Sequence, residues 1–267
     1  MSRKLPVFFH VPKNAGTYVY NRSFNIVKQF INTTQETLNL EVKNKGVPVY
    51  RIVCSCKKPL NDKYKRMNGA NWVCVDYEDI DFNDLNLYFI EVGDRSFNSY
   101  KAEIYKKLNK NIEPFEFLVL RDVYERILSL FSYLKSPQSS HESTNNIFGD
   151  MSLIDYLNSH YLEGSWLIRS LLKIPDETPI TKEHFDNTCE ILDNFLISDI
   201  KKVDSLILEV FNECYNVKNC IINQNEIFSN KTKDKIKHSF NSLNQKTKEH
   251  FNNQTKWDFK IYNKYIK

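Results

Sequence analysis

The stretch VFFHVPKNAGTYVYNRSFNIVKQFIN, residues 7–32, decides how the rest of the chain is read. Val7 to Val11 form a short apolar run of the kind a strand buried on both faces requires. Pro12-Lys13-Asn14-Ala15-Gly16-Thr17 then make a turn, and Tyr20, Phe24, Val27 and Ile31 recur at the spacing of a helix with one apolar face. A strand, a turn of small residues and a helix aim free backbone N–H groups and a helix N-terminus at a bound anion. Lys13 adds a mobile positive charge at the same place. The order differs from the nucleotide-hydrolase signature G-x-x-x-x-G-K-[ST], whose lysine follows the loop and adjoins a hydroxyl that holds magnesium. Here Lys13 precedes Gly16-Thr17, and no paired glycine comes before it.

Outward from this unit, strands alternate with helices. PVYRIVC (48–54) and WVCV (72–75) read as strands separated by a basic turn, KKPLNDKYKR. LYFIEV (87–92) is a β-rich run that stops at Gly93-Asp94-Arg95, with a helix expected from about Ser99 to Leu108. FEFLVL (115–120) is another buried strand and runs straight into RDVYERILSLFSYL, where Ile127, Leu130, Phe131 and Leu134 keep helical spacing. Ser136 to Asp150 reads as a polar, mobile loop; beyond it, segments near 151–160, 163–173, 181–196, 199–215 and 231–252 have helical spacing. The lysine- and asparagine-rich C-terminal segment carries Phe240, Leu243, Phe251, Trp257, Phe259 and Tyr262, an apolar set suited to folding back on the body. The expectation is one α/β domain over residues 1–267, with a mainly parallel central sheet flanked by helices and a helical C-terminal half. In such sheets ligands bind beyond the carboxyl ends of the strands. Lys13, Asp94 and Arg121 all fall just past expected strand ends.

The totals bound the function class. With 267 residues, 41% hydrophobic and 13% aromatic, the chain can bury a substantial core, and a net charge of +4 suits an anionic ligand without implying nucleic acid. The six cysteines (54, 56, 74, 189, 214 and 220) contain no C-x-x-C pair, which argues against a zinc site and a disulfide scaffold. Cys54 and Cys56 read as half-buried thiols on a strand, and Cys214 with Cys220 as a pair able to bridge in an oxidising compartment. No apolar run is long enough to span a bilayer, and the N-terminus enters the first strand almost at once.

HVPKNAGT resembles the 5′-phosphosulfate loop of carbohydrate sulfotransferases, the group that includes the heparan sulfate 2-O- and 6-O-enzymes, often H-[IV]-P-K-[TN]-[AG]-G-T-[ST]. LRDVYERILSL resembles the same family's 3′-phosphate motif, close to R-[DN]-P-x-x-R-x-x-S, through Arg121, Asp122, Arg126 and Ser129, with Val123 in place of proline. Weaker likenesses follow in SWLIRSLL, with Arg169 at the arginine of an N-x-Q-T-R segment, in ILDNFLISDIKKVDSL as a helix pair, and in KWDFKIYNKYI through Asp258 and Tyr262. The resemblance implies a P-loop-type fold and a donor, 3′-phosphoadenosine 5′-phosphosulfate (PAPS), with no metal. It places the 5′-phosphate on Lys13, Asn14, Ala15, Gly16, Thr17 and Tyr18, and the 3′-phosphate on Arg121 and Ser129, with Arg169 as a further donor contact. Tyr18 stands where a small hydroxyl residue is common. Arg126 reads instead as an ion-pair partner of Asp122 or Glu125 on an exposed turn.

Transfer to a hydroxyl, expected to belong to a glycan, also needs a general base. Many family members place a histidine in a G-H context after the strand that precedes the R-D-P strand. Here that place reads VGDRSF, so Asp94 takes the role, with Glu91, Asp76 and Glu78 as fallbacks. His10 reads as structural; His141 and His160 could enter from the polar loop or next helix, and His184, His238 and His250 as solvated helix positions. Trp72, Tyr100 and Trp166 are candidates for stacking on a sugar ring. Since the membrane anchor and stem of many such enzymes are lacking, the expectation is a soluble, cytoplasmic protein, or a Golgi-lumenal catalytic domain after trimming. A P-loop phosphotransferase and a non-catalytic donor- or glycan-binding module are the competing readings.

Overall fold

A computed structural model of the protein describes residues 3–30, 49–52, 65–66, 73–75, 88–93, 112–136, 147–162, 164–216 and 236–266. Among the described residues seven strands form one sheet: β1 (Arg3–His10), β2 (Val49–Ile52), β3 (Lys65–Arg66), β4 (Val73–Val75), β5 (Phe89–Gly93), β6 (Ile112–Leu120) and β7 (Leu196–Asp199). Their order is β3-β4-β2-β5-β1-β6-β7, and every pairing is parallel except that of β3 with β4. β1 therefore lies between β5 and β6, with Phe9 beside Val92 on one flank and Leu118 on the other, and the carboxyl ends of β5, β1 and β6 point the same way.

Alternation along these strands explains why both faces are covered. Leu5, Val7, Phe9 and Val11 of the first strand and its exit, with Leu118 and Leu120 of β6, turn to one face. There they meet α4 (Trp166–Leu172), α5 (Lys182–Leu192) and the long C-terminal α7 (Gln245–Tyr265) through Leu167, Ile168, Leu171, Leu192, Trp257 and Ile261. Phe8, Phe89, Phe117 and Val119 turn to the other face, against α1 (Gly16–Phe30) and α6 (Val203–Tyr215). The rings of Phe8 and Phe117 lie 5.2 Å apart and those of Phe89 and Phe211 6.2 Å, so a truncation such as Phe117→Ala would cost about 3–5 kcal/mol. A third cluster joins α2 (Val123–Leu134) and α3 (Leu153–Leu157) to α7 through Val123, Ile127, Phe131, Tyr156 and Phe251.

Two expectations are corrected. The helix expected over 181–196 ends earlier: α5 stops at Leu192, and Leu196–Asp199 forms β7 beside Phe117–Leu120. The reason is tertiary, since Leu196 and Ile197 point to opposite faces and feed the two different cores, which only a period of two allows. The helix expected over 231–252 instead starts at Gln245, where Asn244 caps it by accepting the Thr247 N–H at 2.9 Å, and it runs on to Tyr265. The basic C-terminal segment thus folds back on the body, with Phe251 and Ile261 buried. The short β3 lies inside the stretch read as a basic turn. The helix expected at 99–108, residues 137–146 of the polar loop, and Cys54, Cys56 and Cys220 lie outside the described residues. Cys189 and Cys214 carry free thiols. Among the described residues no helix is long and apolar enough to cross a membrane.

Candidate functional site

The turn between β1 and α1 is built under strain and tied down. Lys13 (φ 67°) and Ala15 (φ 63°) both sit in the left-handed region, which costs a residue with a Cβ about 1–2 kcal/mol each. The buried Asn14 between them offsets that cost: its backbone N–H donates to the Val11 carbonyl at 3.1 Å, and its Nδ2 donates to the Val119 carbonyl of β6 at 3.0 Å. The second bond fixes the turn to the neighbouring strand. Among the described residues the buried Asn14 Oδ1 has no hydrogen-bond partner, and Asn14 lines the cleft described below.

Gly16 opens α1 directly over the imidazole of His10, and a Cβ built on it would overlap the ring. That ring cannot simply swing aside, because His10 Nδ1 lies 2.8 Å from Oε1 of the buried Glu91 and the ring stacks on Phe8 at 5.8 Å. Gly16→Ala is expected to cost about 1–3 kcal/mol in chemical denaturation. Adding His10→Ala should restore part of the loss, as a cycle between touching residues requires. The Lys13 ammonium lies over the ring of Tyr133, near the end of α2, with 3.3 Å between Nζ and the ring centroid. Burial lowers its pKa to about 8.

Arg121 leaves the tip of β6, one strand over from this turn. Its Nε donates to Glu125 Oε2 at 3.3 Å, while Asp122 caps α2 by accepting the Glu125 N–H at 3.0 Å. Ser129 is half-buried one turn further on. Asn14, Arg121, Arg126, Trp166, Asp258 and Tyr262 line a small cleft, partly open to solvent, at the carboxyl ends of β1 and β6, with Val11, Leu120 and Ile261 among its apolar walls. The strained turn and the arginine of the strand tip thus open on one cleft.

Arg126 corrects an expectation. It is buried, where the sequence suggested an exposed turn, and its guanidinium carbon lies 5.9 Å from the Trp166 ring centroid. Asp258 accepts the Ser165 N–H at 2.6 Å, and burial pushes its pKa up to about 6 against the opposing pull of Arg126. Because the folded value lies above the ordinary 3.8, this group favours folding most below pH 3.8, and that contribution is lost as pH rises through about 6. Asp258→Asn keeps an acceptor for Ser165 and should flatten this part of the melting-temperature profile between those two pH values, as read by thermal melts against wild type.

The remaining site residues fall elsewhere. The Tyr18 hydroxyl donates to Asp204 of α6 at 2.7 Å and accepts from Arg22 Nε at 3.0 Å, which ties α1 to α6. Arg169 donates to the Pro175 carbonyl beyond the end of α4. Thr17 is half-buried in the first turn of α1. Asp94, Asp76, Glu78, His141, Trp72 and Tyr100 lie outside the described residues, whereas Glu91 is engaged with His10. His184 completes the capping box of α5 with Thr181, and His238 Nδ1 lies 3.0 Å from the Tyr124 hydroxyl. Sequence reasoning passed over Tyr133, whose only signal was its place four residues after Ser129, and the buried role of Arg126. No family model, curated protein or solved structure matches the chain.

Proposed function

We propose that the protein is a PAPS-dependent sulfotransferase of P-loop type that moves a sulfuryl group to a hydroxyl, one carried by a glycan. The observation that carries this reading is the bond from Asn14 Nδ2 to the Val119 carbonyl, which holds a strained, lysine-bearing turn against the strand that ends in Arg121. Two cation-bearing loops on adjacent parallel strands suit a molecule with an anionic group at each end. In this reading the backbone N–H groups of Ala15 to Thr17 and the Thr17 hydroxyl hold the 5′-phosphate, and Arg121 and Ser129 hold the 3′-phosphate.

In the reaction the acceptor oxygen attacks sulfur while the bond from sulfur to the 5′-phosphate oxygen breaks. Charge grows on that bridging oxygen, and the Lys13 ammonium stabilises it. Adenosine 3′,5′-diphosphate leaves, and the acceptor's proton passes to a carboxylate, assigned to Asp94 on its place after β5. The experiment is incubation with sulfate-labelled donor and a panel of glycans, lipids and small alcohols, alongside magnesium-ATP. Label on a glycan, lost in Asp94→Asn, supports the reading. Magnesium-dependent ATP turnover without sulfate transfer would replace it with a phosphotransferase. Donor binding with no transfer to any acceptor would replace it with a binding module.

A further inference from the structure

The amine on which the proposed chemistry depends is held by an aromatic ring. Among the described residues Lys13 has no carboxylate partner; its ammonium rests on the face of Tyr133, 3.3 Å from the centroid. A carboxylate at that place would neutralise the charge an incoming anion needs, whereas a ring attracts the cation through its quadrupole and leaves the charge intact. The contact also removes the rotamer freedom that a solvated lysine would lose on binding an anion.

The same helix holds the second cation. Glu125, Ser129 and Tyr133 recur every four residues along α2, so Glu125, which holds Arg121, and Tyr133, which holds Lys13, lie about 12 Å apart along its axis, with Ser129 between them. One face of α2 therefore carries a station for each.

We propose that Tyr133 is a positioning residue for Lys13, its ring face seating the ammonium beside the turn so that an anion arriving there meets a cation already in place. The inference rests on the sulfotransferase reading for the identity of that anion, and on geometry alone for the seat. The test is carbon–proton NMR of protein labelled at the lysine ε-carbons, with the Lys13 signal assigned by Lys13→Arg. The ε-methylene protons should be moved upfield by the ring current, should stay so in Tyr133→Phe, and should return to the ordinary lysine position in Tyr133→Leu. An ordinary position in the wild-type protein would overturn the seat. In the same three proteins, adenosine 3′,5′-diphosphate should bind about tenfold more weakly to Tyr133→Leu and within about twofold of wild type to Tyr133→Phe. Equal affinity in all three would overturn the positioning role. Failure of the nucleotide to bind wild type would remove the functional reading, while the upfield signal still decides the seat.

Discussion

Lys13→Ala should lower sulfuryl transfer about 10²- to 10³-fold while leaving the fold intact, because one preorganised cation at a developing anion is worth that much in rate. The stability loss should stay near the strength of one cation–aromatic contact, about 0.5–2 kcal/mol, since the substitution keeps the same positive φ and removes no ion pair among the described residues. The pH dependence has a definite sign. Burial brings the amine to about 8, so the charged form that serves the leaving oxygen is lost as pH rises through that value. Wild-type turnover should then fall about tenfold per pH unit on the alkaline side. Lys13→Arg, charged throughout, should be slower but lack that alkaline limb. Stopped-assay rates from pH 6 to 10, with circular dichroism of each variant, check both statements.

The second large effect belongs to Arg121. Its pairing with Glu125 spans four residues of exposed helix edge, with the carboxylate half exposed, so it contributes no more than a few tenths of a kcal/mol and is readily exchanged for a phosphate. Charged hydrogen bonds to that phosphate are worth about 1.5–3 kcal/mol. Arg121→Ala should therefore raise the donor KM about 10- to 150-fold, with little effect on a donor that lacks the 3′-phosphate. Arg121→Lys should recover only part of the loss, because an ammonium keeps the charge but not the two-pronged fork. A KM ratio between the two donors that stays the same in wild type and Arg121→Ala would remove Arg121 from the 3′-phosphate.

Much of the sheet was legible because buried parallel strands announce themselves as continuous apolar runs, and VFFHV and FEFLVL do so plainly. The placement of Lys13 and Arg121 just past strand ends followed from alternation of strands and helices, but nothing in the sequence specified that β1 and β6 pair directly. β7 was hidden because four residues between two helices carry too little periodicity, and their state is decided by the open edge of β6. Arg126 was misread for a related reason. Its helical spacing from Asp122 suggested a surface pair, but α4 and α7 close over it from distant parts of the chain and make it a buried wall of the cleft. Tyr133 escaped notice because a tyrosine at helical spacing usually belongs to a core, and its partner lies 120 positions earlier in the sequence.

The most direct measurement is calorimetric titration of the protein with adenosine 3′,5′-diphosphate, adenosine 5′-phosphate and adenosine 3′-phosphate. The account expects the diphosphate to bind at submillimolar concentration and more tightly than either monophosphate, with Lys13→Ala and Arg121→Ala each reducing its affinity to that of one monophosphate. A folded protein that takes up no heat with the diphosphate, or binds all three alike, would contradict the claim that one molecule spans the β1 turn and the β6 tip.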